Sequence, residues 1–253
     1  MPGGAPFGGV MVVMASDSQA AWIAAGASLI VAVVSAVVAG YSALRVENVR
    51  KAYEDQVRRE DRQIAVRQQL DRYREPLRNA ANDLHHRIEN IGRKGSVHVY
   101  LGDPDPRLSD LTLKATLYRF ASYWGVVEAL YRDVSELRFE NDTSTKAVSD
   151  LLTKIGKAFA SDSPNRKLMM WREEQRAVGE LMHAPTGAPG ALVRVIGFST
   201  FSEHYDADFA RWFEAFARDV QGIKSPDTLQ ASRLAEIQGS LRALMAALAT
   251  ETT

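Results

Sequence analysis

The chain of 253 residues contains no cysteine. That absence excludes disulfides, thiolate catalysis and cysteine-liganded metal together, and it fits a reducing compartment. Net charge is absent too: lysine plus arginine and aspartate plus glutamate number 31 each. There is no bulk basic surface for nucleic acid and no acidic tail. The Gly-rich phosphate loop, G-x-S-x-G and H-E-x-x-H are missing, so no familiar catalytic signature is present. Basic residues are also missing locally. Residues 1–44 hold no lysine or arginine and a single acid, Asp17.

What fills that region is an apolar run. Ser18 to Leu44 gives 27 residues without a charge. As a helix it would be about 40 Å long, and a hydrocarbon core of about 30 Å needs only about 20 residues. A buried helix with no polar face is foreign to a domain of this size. A cleaved signal peptide would want a basic start and a shorter run. The expectation is therefore one transmembrane helix over residues 20–44, behind a disordered tail at 1–19. Arg45, Arg50, Lys51, Arg58, Arg59 and Arg62 crowd the C-terminal flank. By the positive-inside rule the N-terminus lies outside and the larger part is cytoplasmic, which makes a single-pass protein. Trp22 and Tyr41 stand near the two interfaces. Ala24, Ser28, Ala32, Ala36 and Gly40 recur every four residues, a smooth ridge on which two spans could approach.

Residues 45–75 read as a charged helical stalk. Val46, Val49, Tyr53 and Val57 form a thin seam that fails across "RREDRQ" and resumes at Ile64, Leu70, Tyr73 and Leu77. Sustained heptads are lacking, so a weakly paired stalk and a solitary solvated helix both fit. Pro76 is expected to kink or restart the helix.

Residues 76–253 are long enough to bury a real core. Leu113, Leu117, Phe120, Trp124, Val127, Tyr131 and Val134 share one helical stripe, with Ser109 as the expected N-cap. "TSTKAVSDLLTKIGKAFA", "WREEQRAVGELM", "DADFARWFEAFARDV" and "PDTLQASRLAEIQGSLRALMAAL" predict further amphipathic helices. Ser163-Pro164 and Ser225-Pro226 suit helix starts. "RKGSVHVYLGDPDPR" reads as a loop with a short extended piece at 97–101. "GALVRVIGFSTF" fits either an extended piece or a buried turn. The fold class is all-α: one membrane span, a stalk and a bundle of about five or six helices.

Asp83-x-x-His86 and Glu180-x-x-His183 each put a carboxylate and an imidazole on one helix face. Carboxylate-bridged di-metal bundles use two Glu-x-x-His pairs plus further glutamates, and Glu128, beside the apolar stripe, is the best-placed extra. The plainer reading is two surface histidines among solvated acids, and no cofactor is expected. In "WREEQRAVGELM", a core-facing Trp171, Val178 and Leu181 would set Glu174 at the buried edge, where it could pair with an arginine as a structural ion pair or a recognition spot; the plainer reading is a solvated helix with Arg176 and Glu180 paired at i,i+4. Aromatics interleaved with bases in "YRFASYWG" and "RWFEAFARD" are core at helical spacing, so nucleic acid is not an expected partner.

"YREPLRNAANDLHHRIENI", "YRFASYWGVVEALYRDVSEL" and "WREEQRAVGELM" resemble segments of uncharacterised bacterial proteins from actinomycete-type genomes, over roughly residues 70–220. The resemblance implies a hydrophobic anchor before a helical domain and a bacterial origin, and no activity. The leading functional expectation is a single-pass anchor whose cytoplasmic domain binds a partner or itself, its partners being the bilayer and either a second copy or another membrane protein. The alternatives are a membrane-face metalloenzyme and an oligomeric effector that perturbs the membrane.

Overall fold

The computed structural model describes residues 13–92, 96–134, 143–163, 166–185, 194–223 and 229–249. Among them are eight α-helices and no strand: α1 (Val13–Gly92), α2 (Ser96–Leu101), α3 (Pro106–Val134), α4 (Thr143–Ala160), α5 (Arg172–Leu181), α6 (Phe198–His204), α7 (Ala210–Gln221) and α8 (Leu229–Ala249). A π-helical turn, Tyr205–Phe209, joins α6 to α7. The chain divides into two compact units, residues 1–60 and 61–253.

The first unit is the N-terminal part of α1. The helix begins at Val13, inside the segment expected to be an unstructured tail. Among the described residues no helix is long and apolar enough to cross a membrane. The side chains of residues 23–44 lie outside the described residues, and with them the expected span and the ridge of Ala24, Ser28, Ala32, Ala36 and Gly40. Their backbone is helical. Beyond it, residues 45–60 are a solvated helix. Arg50 pairs with Glu54 at 2.9 Å and Lys51 with Glu47 at 2.9 Å, both at i,i+4 and both exposed. Such pairs contribute a few tenths of a kcal/mol each, roughly 0.3–0.5.

The second unit is a helical bundle. Pro76 does not restart the helix, for it lies inside α1. Leu70, Tyr73, Leu77, Leu84, Ile88 and Ile91 form the buried stripe of α1. The Tyr73 hydroxyl donates to Asp133 Oδ2 of α3 at 2.6 Å, and Arg74 Nη1 donates to the Leu248 carbonyl of α8 at 2.8 Å. α3 is the central element and packs on α2, α5, α6 and α7, while α4 packs on α8 and α5. The predicted stripe of α3 is buried at Leu113, Leu117, Phe120 and Trp124 and partly buried at Val127 and Tyr131, but Thr116, Tyr123, Val126 and Leu130 are buried as well. A single stripe understates a helix surrounded on several sides. Trp124 sits among Phe159 (ring centroids 5.2 Å apart), Phe213 (6.0 Å) and Phe216 (6.1 Å).

Local chemistry sets the other boundaries. α3 starts earlier than Ser109. Asp105 caps it, its Oδ1 accepting the Arg107 N–H at 2.9 Å, and Pro106 takes the first helical position, where no donor is needed. Ser109 instead donates its hydroxyl to the Leu101 carbonyl at 2.9 Å, which ties α2 to α3. The piece at 96–101 is a short helix, not an extended strand. The stretch after α5 is extended, with an antiparallel bridge between His183 and Val195. Pro164 and the Ser225-Pro226 pair lie outside the described residues.

The π turn solves a phasing problem. Phe201, Tyr205, Phe209 and Phe213 are spaced four apart and all buried. In an α-helix steps of four precess by about 40° each, so the ladder would rotate away from the core. The wider π turn, closed by the Ala210 N–H on the Tyr205 carbonyl, absorbs that drift.

Candidate functional site

Glycine permits the closest helix approach. A Cβ at Gly179 of α5 would stand 2.8 Å from the Trp124 carbonyl oxygen and 2.8 Å from Glu128 Cβ. A Cβ at Gly125 of α3 would stand 2.7 Å from Val195 and 2.8 Å from Met182. α3 and α5 therefore pack nearly backbone to backbone, and polar side chains collect at the margin of the contact.

Two of the predicted site residues, Glu128 and His183, lie there, while Glu180 is exposed on α5 and acts on His183 only through its charge. Glu128 is buried, and Arg176 Nη2 reaches its Oε1 at 3.3 Å from an exposed position. This ion pair replaces the expected Arg176–Glu180 pair, because Glu128 lies across the glycine contact. His183 is half-buried just past the end of α5. Its Nε2 faces the Gly125 carbonyl at 2.9 Å, and its Nδ1 meets Arg132. Nε2 therefore donates and Nδ1 accepts from the guanidinium, which selects the neutral ring. Burial above all, with Arg132 adding to it, lowers the His183 pKa below the usual imidazole value, against the opposing pull of Gly125, Glu128 and Glu180.

The other two predicted residues sit elsewhere. Asp83 pairs with Arg119 of α3 at 2.7 Å, and His86 faces Glu89 at 3.5 Å on its own helix. Among the described residues no group of three or more histidine and acidic side chains is arranged to hold a metal ion. His183 already has both ring nitrogens engaged. Trp171 departs from its expected core position. It is 57% exposed at the start of α5, where its backbone N–H donates to Glu174 Oε2 at 2.7 Å. Glu174 is thus the returning half of a capping box. Gln175 takes the buried place, donating to the Gly156 and Met170 carbonyls at 3.0 and 2.8 Å.

Sequence reasoning also missed two buried charges. Asp219 of α7 accepts from the Leu168 N–H at 2.8 Å and from Lys167 Nζ at 3.0 Å. This holds Leu168 in a left-handed conformation, φ 53°, that a leucine rarely adopts. Arg233 of α8 donates to the Ala158 and Phe159 carbonyls at 2.9 and 3.1 Å and so caps the C-terminus of α4. Beside this cap an open groove of ≈ 510 Å³ runs between α4 and α8, lined by Asp150, Lys154, Lys157, Ser161 and Glu236 among others. No spacing rule links Asp219 to Leu168 or Arg233 to α4, since each bond closes a loop of more than 50 residues.

Compared with protein families, with curated proteins and with solved structures, the chain matches none.

Proposed function

We propose that the protein is a single-pass membrane anchor whose helical bundle, on the cytoplasmic face of a bacterial inner membrane, serves as an interaction or self-association module. The observation that carries the reading is the uncharged run of residues 18–44, placed within one helix that continues as the charged stalk. Lipid is the solvent that favours such a run, since a helix satisfies its own backbone there. The basic flank beginning at Arg45 gives the orientation. Binding is the reading that the polar groups at the α3–α5 margin fit, since they are engaged with one another (Glu128 with Arg176, His183 with Gly125 and Arg132).

Alkaline extraction of membranes from cells expressing the full chain tests the anchor. The protein should stay in the pellet, and Ala32→Lys should release a large fraction of it, because a lysine at a span centre costs about 3 kcal/mol. Recovery of the unmodified chain in the wash would overturn the reading. A C-terminal tag should resist protease in spheroplasts and become sensitive after lysis; cleavage in intact spheroplasts would reverse the orientation.

A further inference from the structure

The stalk carries apolar side chains that are exposed among the described residues. Val49, Tyr53, Val57 and Ile64 are 69%, 67%, 36% and 53% exposed, at helical spacings of four, four and seven. On a helix this spacing places all four on one face. The charged residues on either side are partnered within the helix, Arg50 with Glu54 and Lys51 with Glu47. Residues 45–62 hold six bases and five acids, a net charge of 6 − 5 = +1.

We infer that this face is the contact between two copies of the chain, their stalks running parallel and in register. The inference deepens the proposed function and rests on its membrane anchor. Three observations favour a second copy over other occupants. A helix of near-zero net charge with alternating signs does not repel its own duplicate, whereas a foreign acidic or basic partner would find no field to meet. An anionic lipid surface would select a basic face, and this one is nearly neutral. Chains anchored by residues 18–44 also share orientation and height above the bilayer, so each exposed side chain meets its own counterpart.

The area explains why an anchor is needed. The four side chains expose on the order of 400 Å² per copy, about half of what a stable interface buries on each partner. Dilute free chains would remain apart, while confinement to a membrane raises the effective concentration towards the millimolar range. Glu60 lies on the same face, between Val57 and Ile64. Parallel pairing sets it against its duplicate, a like-charge contact that weakens the dimer and disfavours other registers.

Because the chain lacks cysteine, a single-cysteine scan of the full-length protein in membranes tests the inference directly. Val49→Cys, Tyr53→Cys, Val57→Cys and Ile64→Cys should each give a covalent dimer under mild oxidation, several-fold more than Ala52→Cys and Asp55→Cys on other faces. Glu60→Gln combined with Val57→Cys should raise the yield further. All of these positions are exposed, and the thermal melt of each variant should match that of the parent. Equal linking on all faces, a maximum at one position that falls away on both sides, or an adduct with a different protein would each overturn parallel self-pairing. Alkaline extraction of the same membranes separates the two ideas. A chain that resists extraction yet does not link defeats the pairing alone, and a chain that links but washes off defeats the anchor and the argument from confinement, while the pattern of linking still reports the pairing.

Discussion

Two stretches of the same helix, residues 45–60 and residues 70–91 of α1, have similar numbers of apolar side chains per turn but different surroundings. In the first, Val49 and Tyr53 are solvated and the ordered contacts are ion pairs one turn apart. In the second, Leu77 and Leu84 are fully buried and the polar contacts reach other elements, Tyr73 to Asp133 and Arg74 to Leu248. Helical periodicity alone does not bury a face; a neighbouring element must cover it. Most helical stability comes from such packing and little from propensity.

The strongest break in that contrast is a cavity. Leu77→Ala should lower the unfolding free energy of the bundle by about 2–5 kcal/mol, while Val49→Ala should change it by less than about 0.5 kcal/mol. Chemical denaturation of the full chain followed by circular dichroism reads both, and comparable losses would erase the distinction. Crowding is the next largest effect. Gly179→Leu drives a side chain into the Trp124 carbonyl and Glu128 and should cost about 1–3 kcal/mol or more. An unchanged midpoint would mean that α3 and α5 can separate freely.

Two buried tyrosines sharpen the contrast further. Tyr73→Phe removes the bond to Asp133 and should cost roughly 1–2 kcal/mol. Among the described residues the buried Tyr123 hydroxyl has no hydrogen-bond partner, and burial raises its pKa far above the usual phenol value. Tyr123→Phe should therefore be neutral or stabilising in the same denaturation experiment. A large loss would reveal an interaction of that hydroxyl.

The pH effect is smaller and has a definite sign. His85 of α1, which contacts the Gln238 backbone, and His183 both have pKa values lowered chiefly by burial. Each is neutral more readily in the folded chain than in the unfolded one. Their contribution is fully present above the unfolded value of about 6.5 and is lost as pH falls through it towards the folded values. Melting temperature should decline from pH 7.5 to pH 5, and a His85→Gln, His183→Gln chain should decline less. An equal decline in both chains would assign the acid sensitivity to other groups. Least of all, Glu54→Ala should shift the melt by only a few tenths of a kcal/mol, since its pair with Arg50 is exposed.

Much of the fold was legible because it is local. α4 spans Thr143–Ala160 as its apolar spacing predicts, α5 falls within its segment read as amphipathic, and α7 runs one residue past the end of its own. The start of α3 was legible in principle. "DPDP" holds an aspartate before a proline, a better helix start than Ser109, and the Asp105 cap uses it. The π turn, the glycine contacts and the Asp219 and Arg233 bonds were not legible, because each depends on a partner distant in sequence. The same holds for the candidate site. Glu128 and His183 were named from helix spacing, but their meeting, and the separation of Asp83 and His86 from them, follow from how α3 packs on α5 and α1.

The π turn at Tyr205–Phe209 has a bearing on inheritance. A π turn amounts to one residue more than an α-helix would use over the same span. A relative of this chain with a regular helix between α6 and α7 should therefore be one residue shorter there and should carry its inward aromatics at mixed spacings of three and four. An alignment of such sequences would show a single gap inside a helix, where gaps are otherwise avoided, and that gap would divide the lineage into chains built with the turn and chains built without it.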